Sequence, residues 1–224
     1  MSAPPLSQRL LAEGLGTAFL LAIVVGSGIM AERLASGNVA IALLANTLAT
    51  GAGLVALILA FEPISAHFNP VVTLLCAARG ELTWRVVPAY VLAQVAGAYA
   101  GVAAAHTMFA LPLFTASSKI RTGFAQAFSE FVATLGLLLV IALVAKFRSH
   151  AVAFAVGGYI TAAYWFTAST SFANPAVTLA RAASESFAGI RPADAPAFIL
   201  AQLLALVVAL FIIKSLIGNP PKPQ

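Results

Sequence analysis

Apolar positions run through this chain in six long blocks, at about residues 7–29, 38–60, 86–108, 124–147, 150–168 and 196–217. A helix needs roughly 20 mostly apolar residues to cross a bilayer, and each block is close to that length. Gly and other small residues interrupt them, as in membrane helices that pack closely. Polar residues collect between the blocks, in connections too short to hold a separate folded unit. The first block is too long for a signal peptide, only Arg9 leads it, and five more follow. It is therefore expected to remain as a span.

Two connections carry the same phrase. Residues 66–79 read "AHFNPVVTLLCAAR" and residues 167–181 read "TASTSFANPAVTLAR". The blocks around them match as well: "EGLGTAFLLAIVV" (13–25) with "EFVATLGLLLVIA" (130–142), and "PAYVLAQVAG" (88–97) with "PAFILAQLLA" (196–205). Apolar matches alone mean little. Glu, Asn-Pro, Thr and Gln recurring in one order mean more. Each half holds three spans, so the second half must enter from the opposite face. The pattern predicts an all-α membrane protein, one transmembrane channel domain over 1–224. Its repeats cover about 7–108 and about 124–217 and are inverted, which puts the site near the midplane between them.

The repeated phrase reads as a helix start, with Asn as N-cap and Pro at the first helical position. Helices over 70–78 and 175–183 would each be roughly 13 Å long, about half of a bilayer core. Two such half-helices, entering from opposite faces, make one broken span whose N-termini meet in the middle. Exposed backbone there is tolerated only around a water-filled cavity or inside packed protein. The converging positive helix ends repel a cation. The Asn69 and Asn174 amides can donate hydrogen bonds to a neutral polar solute and can orient the water between them.

Composition fixes the solvent and little else. The 224 residues are 61% hydrophobic and 8% charged, with mean hydropathy +0.99, which is far too little charge for a water-facing surface. The net charge of +5 comes without a basic run interleaved with aromatics, which suits loops beside anionic lipid and not nucleic acid. With the termini inside, Arg9, Arg79, Arg85, Lys146, Arg148, Lys214 and Lys222 lie inside. Arg33, Lys119, Arg121, Arg181 and Arg191 lie outside, so the count favours a cell (inner) membrane protein with cytoplasmic termini. Cys76 is the single cysteine and cannot form an intrachain disulfide. His67, His106 and His150 fall in different segments, with no metal cluster and no Ser-His spacing that would suggest an enzyme. "GSG" at 26–28 lacks the Lys-Ser/Thr of a phosphate loop and permits close helix contact. No cofactor is expected. Trp84, Trp165 and the tyrosines read as interfacial anchors. A coupled secondary transporter is the main rival. It would need an ion site or a titratable relay, and the spans offer little beyond Glu13 and Glu130. A closed scaffold of the same fold is a further rival.

The paired motifs, six spans and repeat-leading Glu residues resemble the aquaporin, or major intrinsic protein, family over nearly the whole chain. "HFNPVVT" (Asn69, Pro70, Val71) is close to the family's first signature, with Val71 in place of Ala. "ANPA" (Asn174, Pro175, Ala176) is its second. The resemblance implies a homotetramer with one pore per subunit, and buried Glu13 and Glu130 holding the re-entrant loops. His67 fits loop support or contact with solute. The family's second signature continues with a filter Arg, and here that position is Val177. Counting from the motifs without gaps puts the other constriction positions at Ala49, Ala162 and Ser171. Such a neck would be wide, uncharged and poor in donors. "AAYWFTASTSFANPAVTLAR" is similar to the bacterial AqpS-type aquaglyceroporins that lack the filter Arg. That resemblance implies passage of arsenite and other metalloid hydroxides, polyols, water and methylated arsenicals. Arg181, one turn beyond Val177, has two readings. It snorkels to the interface or a neighbouring subunit, or it lines the outer vestibule and repels cations.

Overall fold

The computed structural model describes residues 4–218, and Lys222, counted above with the inner charges, lies outside them. Its helices are α1 Leu6–Leu34, α2 Val39–Phe61, α3 Pro70–Ala78, α4 Val87–Met108, α5 Phe124–Phe147, α6 Val152–Phe166, α7 Pro175–Arg181 and α8 Ala195–Ile217. No strand occurs among the described residues. By length and composition α1, α2, α4, α5 and α8 can cross a bilayer, α4 and α8 counted with the short 3-10 turns that lead into them. The sixth expected span is shorter than its apolar run. α6 has 15 residues, about 22 Å of helix, and one 3-10 turn at Ser149–Ala151 leads into it. It ends at Phe166 because Thr167 turns extended toward the second Asn-Pro loop.

The packing repeats as the sequence does. α1 lies against α2 and α4, α5 lies against α6 and α8, and α2 meets α6 across the molecule. The half-helices α3 and α7 fill the gap between the two units and touch each other. α3 runs over the expected residues. α7 stops two residues early, where Ala182 caps it. Val71, Leu75, Leu138, Ala209 and Ile213 form an apolar cluster around α3, so a helix too short to span is held by side-chain packing on both sides. Outward-facing Leu92, Phe124, Leu200 and Phe211 are exposed, as expected of a surface solvated by lipid.

The helices cross at backbone distance. A Cβ on Gly97 would sit 2.1 Å from the Gly14 carbonyl oxygen, and one on Gly157 would sit 2.7 Å from that of Gly51. Neither neighbour is a side chain that could swing away. Gly97→Ala should therefore lower stability by about 1–3 kcal/mol, the usual cost of overpacking. Gly158→Ala, with nothing within 4 Å of the added carbon, should be neutral or slightly stabilising. Thermal unfolding in detergent compares the two; equal melting temperatures would show that the α1–α4 crossing can open at no cost.

Candidate functional site

The site is assembled by two buried carboxylates. Glu13 on α1 is fully buried, and its Oε1 accepts from the Ser65 hydroxyl at 2.6 Å and the His67 amide at 2.8 Å. Its Oε2 accepts from the Phe68 amide at 2.7 Å and the Gln94 side chain at 2.8 Å. Glu130 on α5 does the same for the second loop, accepting from the Phe172 and Ala173 amides and the Gln202 side chain, each at 2.8 Å. Each Gln also donates to a Thr hydroxyl, Gln94 to Thr73 at 2.9 Å and Gln202 to Thr178 at 3.0 Å. Those hydroxyls donate in turn to the Asn69 and Asn174 carbonyls. Glu, Gln, Thr and Asn thus form one chain of contacts, written twice. All four carboxylate oxygens are occupied by protein donors.

The Asn69 side chain serves two partners and the Asn174 side chain three. Asn69 Oδ1 accepts from the Val71 amide at 3.1 Å, and Asn174 Oδ1 accepts from the Ala176 and Val177 amides at 3.0 and 3.3 Å. Asn69 Nδ2 donates to the Ala173 carbonyl at 2.7 Å, and Asn174 Nδ2 donates to the Phe68 carbonyl at 2.7 Å. Each motif is therefore tied to the loop of the other repeat. An amide nitrogen carries two hydrogens, so one N–H per Asn is left over. Phe68 and Ala173, immediately before the Asn residues, adopt left-handed φ of 51° and 48°. These turns aim the Asn side chains across the midline. Pro70, Pro175 and Ala176 are buried in the first turns of α3 and α7, as is Val71.

A cavity of about 460 Å³ runs past both Asn side chains. Four helices present it with stripes spaced four residues apart: Leu20 and Val24 on α1, Thr50, Leu54 and Ile58 on α2, Leu137 and Ile141 on α5, and Val152, Val156, Ile160 and Tyr164 on α6. The mouth on the side of the N-terminus carries Arg9, Glu62 and Glu81, with His67 and Cys76 farther in. His67 both borders the cavity and holds its loop, with Nδ1 3.1 Å from the Thr73 hydroxyl.

The opposite end of the cavity corrects the expected neck. Ser171 and Val177 line it, but Ala49 and Ala162 do not. Ala162 is exposed on the outer surface. It sits two residues from both Ile160 and Tyr164, about 200° around the helix, so it faces the other way. Ala49 is one residue, about 100°, from the Thr50 that does face inward. An ungapped count ignores the helix phase, and the left-handed Thr170 and Ser171 break the count between α6 and α7. With Thr50 and Tyr164 in place of two alanines, this end of the cavity carries hydroxyl groups and is not bare. Tyr164 Oη donates to Thr50 Oγ1 at 3.3 Å, and Ser171 Oγ is buried without a protein partner. Arg181 reaches this end, only 2% exposed, with its guanidinium carbon 3.3 Å from the centroid of the Phe172 ring. Nε of Arg181 donates to the Ala188 carbonyl.

Behind Phe172 lies a second buried cation. Arg121, in the connection between α4 and α5, donates from Nε to Gly189 at 2.8 Å and from Nη1 to Ser169 at 2.9 Å. Its guanidinium carbon is 5.0 Å from the same ring. Arg121 does not border the cavity, and its position in a connecting loop gave no sequence signal beyond its charge.

Residues 1–149 match the family model "Major intrinsic protein". The chain belongs to the major intrinsic protein family. Among the family's members, Aquaglyceroporin AqpS of Rhizobium meliloti (strain 1021) is 55% identical over 219 residues, covering 97% of this chain and 93% of that protein. Aquaporin NIP1-4 of Oryza sativa subsp. japonica is 36% identical over 178 residues, 75% of this chain and 63% of that protein. The crystal structure of the aquaglyceroporin from Plasmodium falciparum shares the fold, with TM-score 0.70, 20% identity, and coverage of 94% of this chain and 95% of that one. The long apolar helices and the family together make this a multi-pass membrane protein.

Two measurements probe the assembled site. Glu13→Gln puts an amide donor where a carboxylate oxygen now meets donors, so a buried contact becomes unsatisfied. It should cost about 1–3 kcal/mol and displace the first Asn loop, read as a lower melting temperature together with lower solute flux. A wild-type melting temperature would remove the carboxylate from its supporting role. Lys119, half-buried outside the spans, donates to the Phe187 carbonyl and lies 4.3 Å from that ring's centroid. Burial, and then the charges of Arg121 and Arg181, push its ammonium down from 10.5 to about 8. Between those values the unfolded chain holds more protons than the folded one, so stability rises with pH. Wild type should gain melting temperature over Lys119→Met from pH 7.5 to 9.5, and a constant difference would show that Lys119 is not strained by its charge.

Proposed function

We propose that this chain is a passive membrane channel for small uncharged solutes: arsenite and other metalloid hydroxides, glycerol-like polyols, water and methylated arsenicals. The observation that carries the reading is the pair of Asn amides in a cavity walled by aliphatic stripes from four helices. Each amide has spent one N–H on the opposite loop and keeps one. A neutral hydroxylated solute can accept those two hydrogen bonds while its remaining surface slides along aliphatic stripes. An ion finds no ligand set to replace its water. AqpS, whose name marks it as an aquaglyceroporin, is the relative that most favours polyol-like cargo. The same reading makes Asn69 and Asn174 the central donors, Ser171 and Val177 part of the neck, and Glu13, Glu130 and His67 the loop supports. A homotetramer in the cell membrane with cytoplasmic termini completes it.

A coupled secondary transporter built on the same repeat is the second reading. The full engagement of Glu13 and Glu130 weighs against it, since a proton relay needs a carboxylate free to change partners.

Reconstituted vesicles decide between the two. Arsenite and glycerol should equilibrate along their own gradients, and accumulation beyond equilibrium under a pH or sodium gradient would overturn the passive channel. Asp at position 69 or 174 keeps the helix cap but loses the amide hydrogens. Asn69→Asp and Asn174→Asp should each cut neutral solute flux about tenfold, the equivalent of one lost hydrogen bond. Unchanged flux and selectivity in both would sink the donor role.

A further inference from the structure

We infer that this channel separates charge selection from size selection, placing the first on Arg181 and the second on Val177, one helical turn apart. The inference rests on the cavity being the solute path. Its evidence is the state of the Arg181 side chain. Arg181 is 98% buried by its 2% exposure, yet only Nε has a protein partner among the described residues. The two terminal amino groups have none, and they are not sealed away from the cavity that the side chain borders. No carboxylate pairs with Arg181 or Arg121 among the described residues. A buried guanidinium with idle donors and no counter-ion is expensive unless it faces water or a solute.

Its posture is fixed from two sides. The Phe172 ring lies against the guanidinium, and the Ala188 carbonyl holds Nε. The planar head is therefore held at the cavity edge, with terminal N–H groups that no protein acceptor takes among the described residues. Arg121, against the same ring, adds a second positive charge that the path does not touch. The field at this end repels cations, and its source is separate from the aliphatic wall that Val177 contributes. Arg181 snorkelling to the interface, or reaching a neighbouring subunit, does not fit a side chain enclosed by its own loop.

Two readouts on reconstituted protein test this: potassium leak in vesicles at low ionic strength, and swelling rates for a series of polyols of increasing size. Arg181→Gln should raise potassium leak about tenfold or more. Arg181→Met, which keeps an unbranched apolar stem without the charge, should do the same if the Gln variant does not fold. Arg181→Lys keeps the charge while losing the planar contact, and should stay tight to potassium. Val177→Phe should lower the size limit for polyols without raising potassium leak. Folded variants are recognised by wild-type elution and melting behaviour. If Arg181→Gln and Arg181→Met stay cation-tight, or if Arg181→Lys leaks as they do, the charge assignment is wrong and Arg181 only anchors its loop. If Val177→Phe opens the leak, or leaves the polyol limit unchanged, the separation is wrong. If wild type passes no polyol at all, the failure lies in the channel reading, and this inference falls with it.

Discussion

Glu13 and Glu130 sit where water cannot reach, and a carboxylate in that position must find hydrogen-bond donors or give up its charge. Here the donors are backbone amides of two loops, supplemented by Gln94 and Gln202. The need runs in both directions. The loops have lost helical partners for their amides at a depth where lipid offers none. One buried acid per repeat satisfies both demands and fixes the course of each loop. From that course follow the left-handed turns at Phe68 and Ala173, and from the turns the direction of the Asn side chains. Removing the carboxylate would leave each half-helix held by packing, by its Gln–Thr contact and by the Asn bond to the opposite loop, with the loop amides unpaired.

The Asn residues then do something a cap alone would not require. By donating to the carbonyl of the opposite loop, each couples its own repeat to the other. The broken span is thus closed in the middle by two short hydrogen bonds and not by continuous helix. Half of each amide's donor capacity is used for this closure, which under the proposed function leaves the other half for the solute. A weakly held solute suits conduction, which needs entry and release in equal measure.

The framework was legible because it is a matter of order and type. Glu, Asn-Pro, Thr and Gln recur in sequence, and the structure joins those same residues into one contact chain in each half. The Gln residues were visible as part of the repeat, though their bond to the carboxylates was not. The neck was less legible because it depends on helix phase. Thr50 could have been preferred to Ala49 by extending the four-residue stripe through Leu54 and Ile58, and Tyr164 to Ala162 by extending it through Val156 and Ile160. Arg121 could not have been found that way. It arrives from a connecting loop, and only the fold brings it to Phe172.

The repeat is symmetric where it builds and asymmetric where it selects. Cys76 and Arg181 hold corresponding places, one turn beyond the motifs, as do His67 and Phe172 just before them. Both members of each pair border the cavity. In the first repeat the pair is a thiol and an imidazole, at a mouth that also carries Glu62, Glu81 and Arg9 and so is mixed in charge. In the second it is a guanidinium stacked on an aromatic ring, with another guanidinium close by. The carboxylate clamps keep the backbone the same in both halves, which leaves these positions free to differ without disturbing the loops. Under the proposed function a solute meets the same pair of Asn donors from either direction, while a cation meets a mouth of mixed charge at one end and two buried guanidinium groups against one ring at the other.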